Sequence, residues 1–350
     1  MTMSPTGPRR KDDGRITLKH GAGGVAMRLL IEETLSAGFL EDGAPGVGLA
    51  AFDDGAAFPI GDRWLVLTTD SHVVHPIFFP GGDIGRLAVS GTVNDLAMMG
   101  ATEVLGLTSA LVIEEGFLRS ELERIQRSMQ ETCREARARI VTGDTKVMGR
   151  GELDGLIVNT TGVGLADAVI RDSGLRPGDR ILVTGPIGDH GIALMAARRG
   201  LGLQGKLRSD VAPLNGLIAG ALRAGVGAVT AMKDPTRGGL ASALTEMAQK
   251  SRVGIVIEET AVPINPQVRS AAEILGLDPF HIANEGKALL GVRADRADAV
   301  LAAIRSHSRG ADAAIIGVCS DENAGRLILD TGIGRRLVTE PEGEPLPRIC

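Results

Sequence analysis

The chain has 350 residues, 43% of them hydrophobic, and a formal net charge of −5. That length is enough for a sizeable core and two domains. The acidic balance and the scarcity of aromatic residues (no Tyr, one Trp, seven Phe) exclude a general nucleic-acid or anionic-membrane surface.

The N-terminal stretch 1–15 is polar rather than signal-like, and no apolar run reaches the roughly 20 residues of a bilayer span, so the expected location is the cytoplasm. Residues 1–45 form an N-terminal segment with the glycine-rich run His20-Gly21-Ala22-Gly23-Gly24. Hydrophobic patterning then predicts strands at 48–52 and 63–69, a helix at 84–99, a strand at 104–113, a helix at 120–137 and a strand at 155–166. Turn residues accumulate at Ser173-Gly174-Leu175-Arg176-Pro177-Gly178-Asp179, which sets the expected domain boundary near residue 170. Beyond it the pattern alternates again. Strands are expected at 180–184, 228–232, 253–258, 288–293 and 313–318, and helices at 191–199, 211–224, 240–250, 266–275 and 297–306. The 48 glycines cluster at the ends of apolar runs, as tight strand-to-helix turns require. The fold class is therefore α/β with mixed sheets, in domains spanning 46–170 and 171–330, followed by a flexible tail over 331–350.

The tail ends in Pro345-Leu346-Pro347-Arg348-Ile349-Cys350. Its prolines favour extended conformations, and twelve extended residues reach roughly 40 Å. A terminal thiol on such an arm suits a group carried to a remote site, although a frayed terminus that happens to end in Cys is the plainer alternative. Cys133 and Cys319 fall within a helical and a strand-like run, as core thiols do. Three cysteines without paired spacing give no disulfide framework.

Acidic residues recur at the ends of strand-like runs: Asp53 and Asp54, Asp70, Asn94 with Asp95, and Asp144 followed by Lys146. Strand ends can gather the few carboxylates that Mg²⁺ takes together with phosphate oxygens, while turns and helix caps favour the same residues for structural reasons. Neither GxGxxG nor a Walker motif follows a first strand, so a nucleotide would need another arrangement.

In order, His20-Gly21-Ala22-Gly23-Gly24, Asp53-Asp54-Gly55-Ala56-Ala57, Thr68-Thr69-Asp70-Ser71, Asn94-Asp95-Leu96-Ala97-Met98-Met99-Gly100, Gly143-Asp144-Thr145-Lys146-Val147 and Asp234-Pro235-Thr236-Arg237-Gly238-Gly239 resemble the superfamily of aminoimidazole ribonucleotide synthetase, selenophosphate synthetase and thiamine-monophosphate kinase. Selenophosphate synthetases continue with a reactive Cys or selenocysteine where this chain has Gly24-Val25-Ala26-Met27. Asn284-Glu285-Gly286-Lys287 and the terminal Cys350 instead resemble the carbamoyl dehydratases of hydrogenase maturation.

The resemblance implies a two-domain, PurM-like fold whose N-terminal domains pair in a homodimer, with ATP and Mg²⁺ bound in a groove of acidic strand ends. It further implies ATP-dependent dehydration of an S-carbamoyl group on Cys350 to a thiocyanate. The partners would be the carbamoyltransferase HypF and the HypC–HypD complex. Residue by residue, it implies Asp54, Asp70, Asp95 and Asp234 as metal ligands, and Asp53, Asn94, Gly143, Asp144 and Thr145 as nucleotide contacts. Lys146 would be the cation on the phosphoryl group and Glu285 the base. Two other readings stay open: a small-molecule kinase or synthetase of the same superfamily with an incidental tail, and a carrier that only presents a modified thiol.

Overall fold

The computed structural model describes residues 15–21, 24–36, 38–39, 46–200 and 207–339. A short helix, α1 (Gly24–Leu30), precedes a five-stranded sheet built from β1 (Ala56–Ile60), β2 (Arg63–His72), β5 (Glu103–Glu114), β6 (Ile140–Met148) and β7 (Leu156–Ala166). The strand order is β1-β2-β7-β5-β6, all antiparallel except the β5–β6 pair. A small hairpin, β3 (Phe78–Phe79) with β4 (Gly82–Asp83), leads into α2 (Ile84–Met98), and α3 (Arg119–Ala136) links β5 to β6.

The second sheet has seven strands in the order β14-β13-β10-β12-β8-β11-β9. These are β8 (Arg180–Val183), β9 (Val229–Lys233), β10 (Gly254–Glu258), β11 (Leu289–Val292), β12 (Ala314–Ser320), β13 (Leu327–Asp330) and β14 (Arg335–Val338). The helices α4 (Asp189–Arg198), α5 (Asn215–Ala224), α6 (Gly239–Ser251), α7 (Pro266–Leu275) and α8 (Ala297–Arg305) accompany it.

The helix α2 organises the molecule. Asp83 caps it, accepting hydrogen bonds from the backbone N–H groups of Gly85 and Arg86, each at 2.9 Å. Every residue of α2 is buried except Arg86 and Asp95. One side lies on β2 and β7, where Leu87, Val89 and Val93 join Leu107, Leu156 and Val158. Its C-terminal end packs through Ala97 and Met98 against Leu214, Leu217 and Met232 of the second half. An all-round apolar helix is the signature of burial between two layers, so α2 holds the halves together and carries Asn94 and Asp95 to their junction.

Four expectations need correcting. Residues 49–51 make a 3₁₀ turn rather than a strand, ending at Phe52 in the left-handed region with φ 48°. The strand β6 occupies a stretch between the expected helix at 120–137 and strand at 155–166 where no strand is expected; parallel pairing with β5 holds it at the sheet edge. The first residues of the expected helix at 211–224, up to Leu214, are not helical, and α5 starts at Asn215. Part of the expected tail is sheet, because β14 pairs antiparallel with β13 from Arg335 to Val338.

Candidate active site

Alternate residues of β2, Thr68, Asp70 and His72, point to the face that α2 covers, as the two-residue period of a strand dictates. The hydroxyl of Thr68 lies 3.0 Å from Asp95 Oδ2 and 2.9 Å from the carbonyl oxygen of Asp54. One threonine thus ties together three acidic segments distant in sequence. Asp70 Oδ2 lies 3.3 Å from Nε2 of His72, which is fully buried under Gly91. A Cβ at Gly91 would come within 2.8 Å of the imidazole, so glycine is required there. Burial lowers the pKa of His72 below its usual value, with the Asp70 carboxylate opposing, which favours the neutral ring.

The second half contributes Asp234, just beyond β9, and Glu285, ahead of β11. Asn284 fixes both loops: its amide donates to the carbonyls of Pro235 and Ile282 at 3.1 Å and accepts from Gly188 N–H at 2.7 Å. The Glu285 backbone N–H donates to Asp210 Oδ1 at 3.1 Å, and Lys287 pairs with Asp210 Oδ2 at 3.0 Å. The lysine of the Asn-Glu-Gly-Lys run is therefore consumed by a buried ion pair.

These acids sense one another. Asp95 is held well above the usual carboxylate range, first by burial and then by the charges of Asp234, Asp70 and Asp54. Burial and Asp54 push Asp234 to about 7. Glu285 is raised by burial, then by Asp234, Asp210 and Asp70, with the Arg237 charge opposing. Buried like charges resist joint ionisation, so the pocket stores an affinity for cations. Oδ2 of Asp54 and Oε1 of Glu285 are buried without a hydrogen-bond partner among the described residues. The acids nonetheless stop short of a closed cage: among the described residues no three His, Cys, Asp or Glu side chains converge so as to hold a metal unaided. Such an open set fits Mg²⁺, which takes one or two carboxylates and completes its octahedron with phosphate oxygens and water.

Other expected residues are placed differently. Asn94, expected to contact nucleotide, spends its amide on the second half. It donates to the carbonyls of Ala212 at 3.1 Å and Glu285 at 3.3 Å, and accepts from Leu214 N–H at 2.8 Å. It positions Glu285 instead. Asp53 turns away from the pocket: it accepts from the backbone N–H groups of Asp54 and Asp172 and lies 3.5 Å from Arg171 Nε. Burial, then Asp172, raises it to about 6.

Behind Asp53 sits an ionic network absent from the expectations, in which Lys233 contacts Asp54 at 2.9 Å, Glu246 at 3.5 Å and Asp172 at 3.6 Å, while Lys250 meets Asp172 at 2.5 Å and the carbonyl of Phe52. Lys233 is in a strand and Lys250 in a helix, and only the fold brings them together. Burial works to lower the pKa of Lys233, but Asp54, Glu246 and Asp172 together hold it well above the usual lysine value.

The segment Gly143 to Lys146 lies on β6, the exposed edge strand. Asp70, Thr160, Ser109 and Gly143 form one cross-strand row, which puts Gly143 three strands from Asp70, about 14 Å away. Asp144 and Lys146 align with Ala110, Val112, Asn159 and Ser71, on the opposite face from Asp70 and α2. Thr145 shares the Asp70 face at that same strand separation. Within one copy of the chain, Lys146 does not join the carboxylates. Cys350 lies outside the described residues. Cys133 and Cys319 are buried, and burial pushes the thiol of Cys319 up to about 12.

Both halves of this arrangement, two mixed α/β layers clasped by a buried helix, match the AIR synthase related proteins. The family model for their N-terminal domain matches residues 52–166, and that for their C-terminal domain matches residues 176–330. A carbamoyl dehydratase HypE from Rhizobium leguminosarum bv. viciae is 48% identical over 356 residues, covering all of both chains. Among solved structures, HypE in a HypE–HypF complex matches with a TM-score of 0.83 at 43% identity, covering 89% of this chain and 99% of that one. HypE in complex with ATP matches with a TM-score of 0.79 at 41% identity, covering 95% and 99%. The chain belongs to the HypE family of carbamoyl dehydratases, hydrogenase maturation proteins.

Proposed function

We propose that this protein uses ATP to dehydrate an S-carbamoyl group on Cys350 to a thiocyanate, the source of a cyanide ligand for a NiFe-hydrogenase. The observation that carries the reading is the gathering of Asp54, Asp70, Asp95, Asp234 and Glu285 at the junction of the two halves, in a chain 48% identical over its whole length to a carbamoyl dehydratase.

In the proposed reaction the thiocarbamate oxygen attacks the γ-phosphorus, forming a C–O–P link as the bond from that phosphorus to the β-phosphate oxygen breaks and ADP departs. The carbon–oxygen bond then breaks, phosphate leaves with that oxygen, and the nitrogen gives up both protons as the C≡N bond forms. The sum is thiocarbamate plus ATP giving thiocyanate, ADP, phosphate and one proton.

Asp54, Asp70, Asp95 and Asp234 would hold Mg²⁺, which supplies charge neutralisation at the phosphates. Glu285 takes a nitrogen proton; a carboxylate of raised pKa is a strong base once a neighbouring cation favours its ionised form. Lys146 acts from a second copy of the chain in a homodimer, since within one copy it lies three strands and one sheet face away from Asp70. Residues beyond β14 deliver Cys350, first to HypF and then to this pocket, and the HypC–HypD complex receives the product. The reaction is assigned to the cytoplasm; no described helix is long and apolar enough to cross a membrane.

Mass spectrometry of the C-terminal peptide, after incubation with the carbamoyltransferase, carbamoyl phosphate and ATP, tests the reading. Cys350→Ala should abolish the adduct and leave ATP binding intact. A modification on Cys133 or Cys319 would overturn it.

A further inference from the structure

The run Thr236-Arg237-Gly238-Gly239-Leu240-Ala241-Ser242 turns the chain from Asp234 into α6. Both glycines are left-handed, with φ of 75° and 63°, a conformation that other residues adopt only with strain. The N-cap, Gly238, has no side chain with which to cap the helix, and Gly239 N–H donates to the carbonyl of Thr236 at 3.0 Å. The first-turn N–H groups of a helix have no partner within it. At the same end lies a second feature: the hydroxyl of Ser242 is fully buried, has no hydrogen-bond partner among the described residues, and is aimed at Gly238, where a Cβ would meet Oγ at 2.2 Å. A buried donor left unmade costs free energy. Its presence at an uncapped N-terminus of a 13-residue helix marks a place for an acceptor from outside the chain.

The turn is next to the acids. Asp234 is four residues before Gly238, Gly239 packs against the carbonyls of Phe280 and Ile282, and the Arg237 charge reaches Glu285. We propose that Gly238 to Ser242 form a phosphate cradle, in which the α6 N-terminus and the Ser242 hydroxyl hold the phosphoryl group beside Asp234 and Glu285. The proposal rests on the ATP-dependent reading above and adds to it a place for the transferred group. A tetrahedral oxyanion satisfies both the amides and the hydroxyl. Its charge is compatible with the neighbouring carboxylates when a divalent cation lies between them, so phosphate affinity here depends on Mg²⁺.

The test titrates the full-length protein, in Mg²⁺, with inorganic phosphate in the presence of ADP, with ADP alone, and with a non-hydrolysable ATP analogue, by calorimetry. Ser242→Ala should weaken phosphate about tenfold or more, as expected for one hydrogen bond to a charged group, while ADP affinity stays constant. Gly238→Ala, which fills the cradle, should abolish phosphate binding; constant ADP affinity certifies that the variants are folded. A loss confined to inorganic phosphate assigns the cradle to the departing group, and a parallel loss for the ATP analogue assigns it also to the γ-position. Unchanged affinity for both phosphate and the analogue in Ser242→Ala overturns the cradle and leaves the ATP reading standing. Failure of the unaltered protein to bind ADP overturns the ATP reading itself.

Discussion

Lys233 Nζ lies 2.9 Å from Asp54 Oδ1, and the same ammonium also faces Asp172 and Glu246. The lysine side chain is only 13% exposed, so this cation balances three acids in a setting with little water. It also holds one oxygen of Asp54 and leaves the other, Oδ2, buried and unpartnered. Asp54 is thereby oriented before any ligand arrives.

Lys233→Met should therefore destabilise the protein by about 3–5 kcal/mol, the range for removing one partner of a buried ion pair. Urea unfolding followed by circular dichroism measures it. Asp172→Asn, which removes a charge from the same network, should partly restore the stability of Lys233→Met. Equal stability of Lys233→Met and the unaltered protein would mean that the network contributes nothing.

Asp95→Asn separates function from stability. The amide keeps an acceptor for the Thr68 hydroxyl, 3.0 Å away, and removes a charge repelled by Asp234, Asp70 and Asp54. The variant should be at least as stable as the parent at pH 8, while its affinity for ATP in Mg²⁺ falls about tenfold or more, the loss expected of a proposed cation-binding carboxylate. Calorimetry checks the affinity and thermal unfolding the stability. Undiminished affinity would remove Asp95 from the cation site.

The same acids set a pH dependence. Asp234 titrates near 3.8 when unfolded and near 7 when folded, so between those values the folded state binds the extra proton. Stability from this group is fully present below about 4 and is lost as pH rises through about 7, at roughly 1.4 kcal/mol per pH unit within that window. Asp95 and Glu285 are shifted in the same direction. Denaturation at pH 5.5 and pH 8 should find the protein more stable at the lower pH, and Asp234→Asn should shrink the difference. Added Mg²⁺ should shrink it too, by favouring the ionised pocket. A parent protein no less stable at pH 8 would contradict this assignment.

Much of this architecture is legible in the residues themselves. The helix α7 matches its expected span of 266–275, because Pro266 starts it and Gly276 ends it in the left-handed region. The helix α2 is close to its expected span of 84–99, and the acids that meet at its C-terminal end are marked by their motifs. What pattern cannot supply is pairing between distant segments. The strand β6 owes its conformation to β5, and its Gly143-Asp144 has the composition of a turn. The Lys233–Asp54 and Lys250–Asp172 pairs and the Asn94 amide, which reaches Ala212 and Glu285, arise from contacts more than 75 residues apart in sequence. Face assignment escapes for the same reason: the sheet register, absent from any local motif, sets Lys146 opposite Asp70.

That opposition yields the last prediction. Lys146 is about 14 Å and one sheet face away from Asp70 within a copy of the chain. The outward face is covered by no helix of the described residues and carries half-exposed Leu67, Thr69, Thr161 and Val163. If two copies pair about a two-fold axis so that the β6 edge of one reaches the acids of the other, each pocket receives Lys146 from the other subunit. Lys146→Ala and Glu285→Gln should then each be inactive alone. Refolded together, they should recover about a quarter of the parent activity, because half of the dimers are mixed and each mixed dimer has one intact pocket. Thiocyanate formation on Cys350 is the readout. No recovery from a mixture shown by crosslinking to contain mixed dimers would place Lys146 and Glu285 in the same subunit's pocket, which requires β6 to leave the sheet edge.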